Sequence, residues 1–255
     1  MRVFFYRSLL VLIIALTGVG LYQMMNISST YANEERIAVL VSEFAPPVMD
    51  MTSFRLDSAE SLHGEGVLNP SLLVAKNYIN EDIVGWIRLP NSRIDYPIVQ
   101  GIDNNFYVYH DIQRSSSSAG TIFIDRRNNE NFTDFNTVIY GHNMINGSKF
   151  ADLESFSDIG YFHNNPTGSL FLIDATYILE IFAYLRVERD DRIIYGSKSY
   201  ENFQEFIDYV RAVATNYRDV QLSGEDRFVT LSTCDNDFPD YRFVVLARIK
   251  NMGYN

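Results

Sequence analysis

The N-terminal 25 residues are much more apolar than the rest of the chain. Arg2 and Arg7 flank the start of an apolar run that reaches Met25, and acidic residues follow it. About 20 mostly apolar residues suffice for a helix to cross a bilayer, so the run predicts a membrane-spanning signal-anchor. Basic residues before an anchor favour a cytoplasmic N-terminus and an extracellular remainder. A cleaved signal peptide is the alternative, with residues 30–32 as a weak match to a cleavage site.

The next part of the chain, residues 26–67, predicts a polar extracellular stalk with one or two short helices. Its apolar run at residues 37–41 is too continuous for a single helical stripe, and Pro46-Pro47 ends it because proline cannot continue a helix. The sequence therefore divides into a cytoplasmic tip and anchor (1–25), a stalk (26–67) and one exported domain (68–255).

Within the exported domain, short runs rich in Val, Ile, Phe and Tyr alternate with turn residues, which is typical of strands. Eight strands are predicted, at residues 83–89, 94–99, 120–125, 137–140, 170–173, 177–187, 227–232 and 242–250. Two helices accompany them. Asn69 is the expected cap and Pro70 the first position of a helix to residue 80, and residues 199–217 carry apolar residues at helical spacing. This pattern predicts a mainly β fold, a closed or nearly closed barrel of about eight strands with peripheral helices.

Composition excludes some classes of function. The chain has 21 basic and 32 acidic residues, a net charge of −11, which argues against a nucleic-acid partner. Three of its four histidines (His63, His110 and His163) are too scattered to form a metal site with one another. The acidic residues at 188, 190 and 191 are interpreted as a solvated turn. No metal or cofactor is therefore predicted.

Cys234 is the single cysteine of the chain, so it cannot form an internal disulfide. Either it is a buried apolar side chain or it is a reactive thiol. His142 lies 92 residues before it and Arg242 eight residues after it. Cys234 follows one predicted strand and Arg242 begins the next, so both can face one pocket. An imidazole can take the thiol proton, and an arginine can stabilise an oxyanion, which together favour nucleophilic catalysis.

The sequence around these three residues resembles the sortase family. The segment TLSTC at 230–234, followed by RFVV at 242–245, looks like the sortase signature, and YGHNM at 140–144 is similar to the family's histidine segment. Residues 82–87, 94–99 and 107–111 resemble the first barrel strands of class B sortases. The resemblance extends from about residue 68 to 250, and the long helix predicted before the cysteine strand matches class B.

The resemblance implies a membrane-anchored cysteine transpeptidase with an extracellular catalytic domain. Cys234 would attack the Thr carbonyl of a C-terminal sorting motif on an exported protein. An amine of peptidoglycan or its lipid-linked precursor would then resolve the thioacyl intermediate. His142 would act as general acid and base, and Arg242 would hold the substrate and the oxyanion.

Further residues are assigned to the substrate groove or left open. Ser232, Thr233 and Tyr140 are the expected groove residues, and Asp235 and Asn143 are both candidates for orienting His142. A pilus-polymerising sortase, a secreted cysteine hydrolase and a non-catalytic surface-binding domain are the alternatives. Papain-type hydrolases place the Cys before the His and at the start of a helix, unlike this chain. The sorting motif and the acceptor amine are not determined by the sequence.

Overall fold

The structure is a computed structural model that describes residues 2–47, 69–196 and 203–251. Its first helix, α1, spans Arg2–Ser42 without a break. An 18-residue window between Leu10 and Ser42 has a mean hydropathy of 1.8, so by length and composition this helix can cross a membrane. Short helices were expected beyond residue 25, but the helix continues because no proline occurs before Pro46. Residues 48–67 of the predicted stalk lie outside the described residues.

The part of the chain that follows α1 is a β-barrel. In the described ranges its strands are β1 (Ile83–Arg88), β2 (Asp95–Val99), β3 (Phe123–Ile124), β4 (Asn136–Tyr140), β5 (Thr167–Phe171), β6 (Thr176–Glu188), β7 (Ala214–Tyr217), β8 (Phe228–Cys234) and β9 (Tyr241–Asn251). The sheet order is β5-β1-β2-β3-β4-β8-β9-β6-β7, and β5 also pairs with β6. Eight strands therefore close into a barrel, as predicted, and β7 extends it beyond β6.

Helices surround this barrel. They are α2 (Pro70–Tyr78), α3 (Ile159–Asn164), α4 (Arg192–Tyr195) and α5 (Phe203–Val213), with 3-10 helices at Phe106–Val108 and Ala151–Ser157. Pro70 occupies the first turn of α2 as expected. The side chain of Asn69 does not cap the helix; it instead donates to Leu172 O at 2.6 Å and to Thr176 Oγ1 at 3.1 Å. Asn69 therefore fastens the start of α2 to the turn between β5 and β6.

The core has two layers, one on each face of β8 and β9. Val229 and Val245 face the barrel interior, and Phe228 and Val244 pack in the second layer, against α5. Neighbouring side chains on a strand point to opposite faces, so both faces of these strands are covered. Burial along β8 is continuous until its last residue, Cys234, which is exposed. The buried part of β8 therefore ends directly before the candidate nucleophile.

Two predicted elements differ from the structure. The helix expected at residues 199–217 ends at Val213, and residues 214–217 form β7, which pairs with β6. The amide of Asn216 is buried and donates to Phe156 O at 2.8 Å and Ser157 O at 2.9 Å, so tertiary contacts fix this strand. Residues 199–202 lie outside the described residues. The strand expected at 120–125 is reduced to β3, and Gly120, the expected first residue, adopts a positive φ of 57° that is incompatible with a strand.

Candidate active site

Cys234 and Arg242 face each other at one rim of the barrel. They are directly paired residues of the antiparallel strands β8 and β9, and residues 235–240 connect them. Cys234 is exposed, whereas Arg242 is partly buried. Arg242 Nη1 donates to Pro239 O at 2.7 Å and to Tyr241 O at 2.8 Å. The guanidinium is thus held in place by the connection that leads away from Cys234.

The parallel pairing of β4 and β8 brings His142 to the same rim. Tyr140 is the register partner of Ser232, and Gly141 N donates to Ser232 O at 3.1 Å. Both strands run in one direction, so the residue two positions after Tyr140 reaches the level of Cys234. Asn143 Nδ2 also donates to Cys234 O at 3.0 Å, which joins the two strand ends.

A groove of about 320 Å³ contains all six residues that the sequence selected. They are Tyr140, His142, Ser232, Thr233, Cys234 and Arg242. Its other lining residues are Asn104, Val108, Phe123, Gly141 and Arg189. Sequence reasoning missed Asn104, Val108, Phe123 and Arg189 as groove residues, because three lie outside strands and none belongs to a motif with chemical meaning.

The groove wall beside Cys234 is formed by small hydroxyl side chains. Ser232 is 1% exposed and its Oγ shares a hydrogen bond of 2.9 Å with the hydroxyl of Tyr195. Thr233 is 2% exposed, and within the described ranges its buried Oγ1 has no hydrogen-bond partner. Buried hydroxyl groups are normally satisfied, so Thr233 Oγ1 is an exception among the described groove residues.

Tyr140 forms a second part of the wall. Its hydroxyl donates to Asp125 Oδ2 at 3.2 Å, and its ring stacks against Tyr195 with centroids 6.3 Å apart. Burial, and then the charge of Asp125, raises the pKa of the Tyr140 hydroxyl. Burial acts to raise the pKa of Asp125, but hydrogen bonds from Arg127 outweigh it and the pKa is lowered. The phenol therefore stays neutral beside an ionised carboxylate.

The imidazole of His142 is kept in its neutral form. Burial lowers the pKa of His142, and the positive charge of Lys149 lowers it further. Both causes disfavour the imidazolium, so at neutral pH the ring can accept a proton from a thiol. Gly120 approaches it closely: a methyl group in place of the Gly120 hydrogen would lie 3.1 Å from His142 Cε1.

Neither Asp235 nor Asn143, the two candidate residues for orienting His142, hydrogen bonds to the His142 ring. The carboxylate of Asp235 accepts from Arg186 Nε at 2.7 Å, and the amide of Asn143 is directed to the Cys234 carbonyl. Within the described part of the chain, no side chain hydrogen bonds to the His142 imidazole. The backbone of His142 is held in place, since Phe150 N donates to His142 O at 2.9 Å.

The other histidines and the acidic turn have structural contacts. His110 stacks on Phe106 with ring centroids 4.0 Å apart, and His163 packs edge-on against Phe162. His63 lies outside the described residues. Asp191 caps α4 by accepting from the backbone of residues 193 and 194, both at 2.9 Å. Among the described residues, no group of three His, Cys, Asp or Glu side chains is arranged to hold a metal ion.

Comparison with known proteins agrees with this fold. Residues 87–250 match the Sortase domain family. The chain is 38% identical over 176 residues to Sortase B of Listeria monocytogenes, covering 67% of this chain and 71% of that protein. A structure of a Staphylococcus aureus sortase B–substrate complex superposes with a TM-score of 0.67 and 29% identity, covering 73% of this chain and 87% of the other.

A Streptococcus pyogenes class B sortase involved in pilus biogenesis is also similar. Its TM-score is 0.65 at 29% identity, and the match covers 73% of this chain and all of that one. The chain therefore belongs to the sortase family, and its relatives are class B sortases. Membership of this family identifies the protein as a sortase-type cysteine transpeptidase for cell-wall anchoring.

Proposed function

We propose that this protein is a membrane-anchored class B sortase whose nucleophile is Cys234. It cleaves a C-terminal sorting motif after Thr on exported proteins and joins the new carboxyl end to an amine of peptidoglycan or its lipid-linked precursor. One observation carries the proposal: an exposed thiol, a neutral imidazole and a fixed guanidinium line one groove at the barrel rim. Arg242 and Cys234 are direct register partners, so rigid strands hold this geometry.

The acylation step uses all three groups. His142 removes the proton of the Cys234 thiol, and Sγ forms a bond to the Thr carbonyl carbon. The carbonyl oxygen becomes an oxyanion that the Arg242 guanidinium stabilises. When the C–N bond breaks, the imidazolium of His142 gives its proton to the leaving amine. The product is a thioester between Cys234 and the sorted protein.

The second half of the reaction reverses these roles. An acceptor amine enters the groove, His142 takes its proton, and the amine attacks the thioester carbon. The C–S bond then breaks, and the imidazolium of His142 gives its proton to Sγ, so that Cys234 is regenerated as a thiol. Water in place of the amine would give hydrolysis, so an acceptor that binds close to Cys234 favours transfer. Ser232, Thr233 and Tyr140 line the groove on which the sorting motif binds, and no metal or cofactor takes part.

The N-terminal helix bears on where in the cell the enzyme acts. We infer that residues 1–25 form the cytoplasmic tip and the membrane anchor, that 26–67 form the stalk, and that 68–255 form the catalytic domain outside the cell. The hydropathy of α1 and the basic residues at its start support this orientation. Exported partners that carry a sorting motif would then meet the groove on the outer side of the membrane.

A pilus-polymerising sortase is the second candidate. It is supported by the similarity to the Streptococcus pyogenes enzyme involved in pilus biogenesis. The acylation chemistry would be the same, and the acceptor would be a pilin lysine rather than a peptidoglycan amine. The identity of the amine that resolves the thioester therefore distinguishes the two functions.

The test is a ligation assay with the full chain in detergent. Peptides that span several sorting-motif types are incubated with peptidoglycan stem-peptide amines or with a lysine-containing pilin peptide, and products are identified by mass spectrometry. We expect cleavage after Thr and an amine adduct with the wild type, and neither with Cys234→Ala. Cleavage without any adduct would contradict the transpeptidase and support a hydrolase. A folded protein that acts on none of the peptides would support a non-catalytic domain.

A further inference from the structure

The groove is a cationic site on an acidic protein. The chain carries a net charge of −11, yet Arg189 and Arg242 line the groove and no Asp or Glu is among its described lining residues. A concave site lined by one sign of charge concentrates ligands of the opposite sign. Arg242 alone would suffice to stabilise the oxyanion of the reacting carbonyl. The presence of Arg189 in the groove therefore requires a separate explanation.

Arg189 is held firmly at its backbone and only weakly at its guanidinium. It directly follows β6, and its N–H donates to Asp240 O at 2.8 Å, which ties it to the connection between Cys234 and Arg242. Its side chain is 62% exposed, and its ion pair with Asp240, itself 81% exposed, is long at 3.6 Å. Such solvent-exposed pairs contribute little free energy. The exposed residues Glu188 and Asp190 flank it in sequence but do not line the groove.

The two arginines differ in the contacts that they already have. Arg242 Nη1 is occupied by Pro239 O and Tyr241 O, whereas the exposed guanidinium of Arg189 can exchange its weak partner for a ligand. A guanidinium binds a carboxylate best, because its planar N–H donors match the two oxygens. We propose, on the basis of the function inferred above, that Arg189 is a specificity residue that binds a carboxylate of the donor peptide or of the acceptor amine.

Both reactants can supply this carboxylate. The donor can carry an Asp or Glu side chain beside the cleaved bond. The acceptor can carry a carboxylate close to its reacting amine. The chemistry at Arg189 is the same in both cases, so the experiment needs one arm for each source and a third that does not depend on turnover.

The third arm alkylates the single thiol of the full chain in detergent with iodoacetate or iodoacetamide. These reagents differ in one negative charge, and each forms a bond from Cys234 Sγ to carbon while iodide leaves.

We expect the ratio of the iodoacetate rate to the iodoacetamide rate to fall about threefold to fivefold in Arg189→Gln. It should fall further in Arg189→Glu and remain unchanged in Arg192→Gln. Arg192 is the matched control because it is exposed, lies three residues away and does not line the groove. An unchanged ratio in Arg189→Gln would overturn the proposal.

The turnover arms compare pairs that differ only in one carboxylate. The donor pair is a sorting peptide with Asp or Asn at the position after the cleaved Thr, and the acceptor pair is Nα-acetyl-lysine or its amide. We expect the wild type to prefer the carboxylate member of one pair by about fivefold in kcat/KM, and Arg189→Gln to lose this preference. Turnover with no such preference in either pair would overturn the proposal and leave the transpeptidase intact. No turnover of any peptide would overturn the transpeptidase itself, and the inference with it.

Discussion

At the residue scale, the site combines one exposed thiol with two groups that the surrounding structure has already positioned. Arg242 is fixed by two backbone carbonyls, and His142 is partly buried near the end of β4. Positioned donors stabilise a developing charge without reorganisation, which is where much of an enzyme's rate enhancement originates. The individual side chains should therefore be sensitive to changes of shape as well as of charge.

The first prediction concerns the shape of the cation at position 242. Lysine in Arg242→Lys keeps the charge but has a single nitrogen, so it cannot hold both backbone carbonyls on one nitrogen and present a second nitrogen to the oxyanion. We expect kcat/KM to fall at least about 100-fold, with Arg192→Lys unaffected. The measurement is the rate of peptide cleavage by each full-length variant. A rate within about threefold of the wild type would show that Arg242 is not an oxyanion donor.

The second prediction concerns the titration of His142. Burial and Lys149 both oppose the imidazolium, so its midpoint should lie below the ordinary value of about 6.5. Lys149→Met removes the cation, so the midpoint of His142 should rise. It should not reach the ordinary value, because His142 is still buried. NMR titration of the His142 ring protons measures this midpoint in the wild type and in Lys149→Met. A wild-type midpoint at or above 6.5 would contradict the description.

At the element scale, the ion pair between Arg186 and Asp235 fastens the connection between β8 and β9 to β6. Asp235 is 4% exposed and accepts from Arg186 Nε at 2.7 Å and from the backbone N–H groups of Asp237 and Phe238. The Arg186 guanidinium also lies over the rings of Phe238 and Tyr241, at 4.7 and 4.3 Å. Because Cys234 and Arg242 flank this connection, its anchoring fixes their spacing.

The third prediction follows from this anchoring. Arg186→Met leaves a buried carboxylate without its cation and should lower the free energy of unfolding by about 1–2 kcal/mol, allowing for the partial exposure of Arg186. Arg186→Lys should restore part of the lost free energy of unfolding, because it keeps the positive charge. Burial acts to raise the pKa of Asp235, but Arg186 and the backbone donors lower it overall. The difference from the wild type should thus be complete above about pH 4 and shrink as the pH falls below it. Denaturant unfolding at pH 7 and pH 3 tests this, and an equal difference at both values would contradict it.

The fourth prediction concerns the turn that precedes β3. Gly120 has a φ of 57°, and an added methyl group would lie 2.6 Å from Tyr107 O and 2.7 Å from Val108 O. Gly120→Ala should therefore destabilise the fold by about 1–3 kcal/mol and lower turnover, because the displaced turn lies against His142. Gly224→Ala is the control, since its nearest neighbour would be 3.7 Å away. Thermal unfolding and peptide cleavage should both distinguish the two variants, and equal behaviour would contradict the prediction.

The local sequence pattern predicted the strands that carry continuous apolar runs. It failed where contacts with distant parts of the chain determine the secondary structure. β1, β6, β8 and β9 carry continuous apolar runs and were found within a few residues of their observed ends. β7 was missed because its four residues follow a helical pattern and owe their extended form to pairing with β6. A pattern within one segment contains no information about that partner.

At the scale of the whole molecule, the candidate site depends on contacts far apart in sequence. The Cys234–Arg242 pairing could be predicted, because adjacent strands joined by a short connection usually pair. The position of His142 could not be derived from local pattern, since it results from the parallel pairing of β4 with β8. Arg189 reaches the groove from the end of β6 and belongs to no motif. Only the assembled barrel places it beside Arg242.

The fifth prediction tests the inferred orientation in the membrane. Cys234 is the single cysteine and is exposed, so a membrane-impermeant maleimide reports directly on its location. In intact cells that express the full chain, we expect labelling as strong as after permeabilisation, and none in Cys234→Ala. Labelling that appears only after permeabilisation would place the barrel in the cytoplasm and contradict the positive-inside interpretation.

The central claim is that Cys234 forms a thioester with the sorted peptide, and intact-protein mass spectrometry tests it most directly. The full chain in detergent is mixed with a cleavable sorting peptide without an acceptor amine and quenched in acid. The proposed mechanism predicts a mass increase equal to the peptide up to its Thr, mapped to Cys234, removed by hydroxylamine and absent from Cys234→Ala. Cleaved peptide formed by Cys234→Ala at the wild-type rate, or an adduct on another residue, would contradict it.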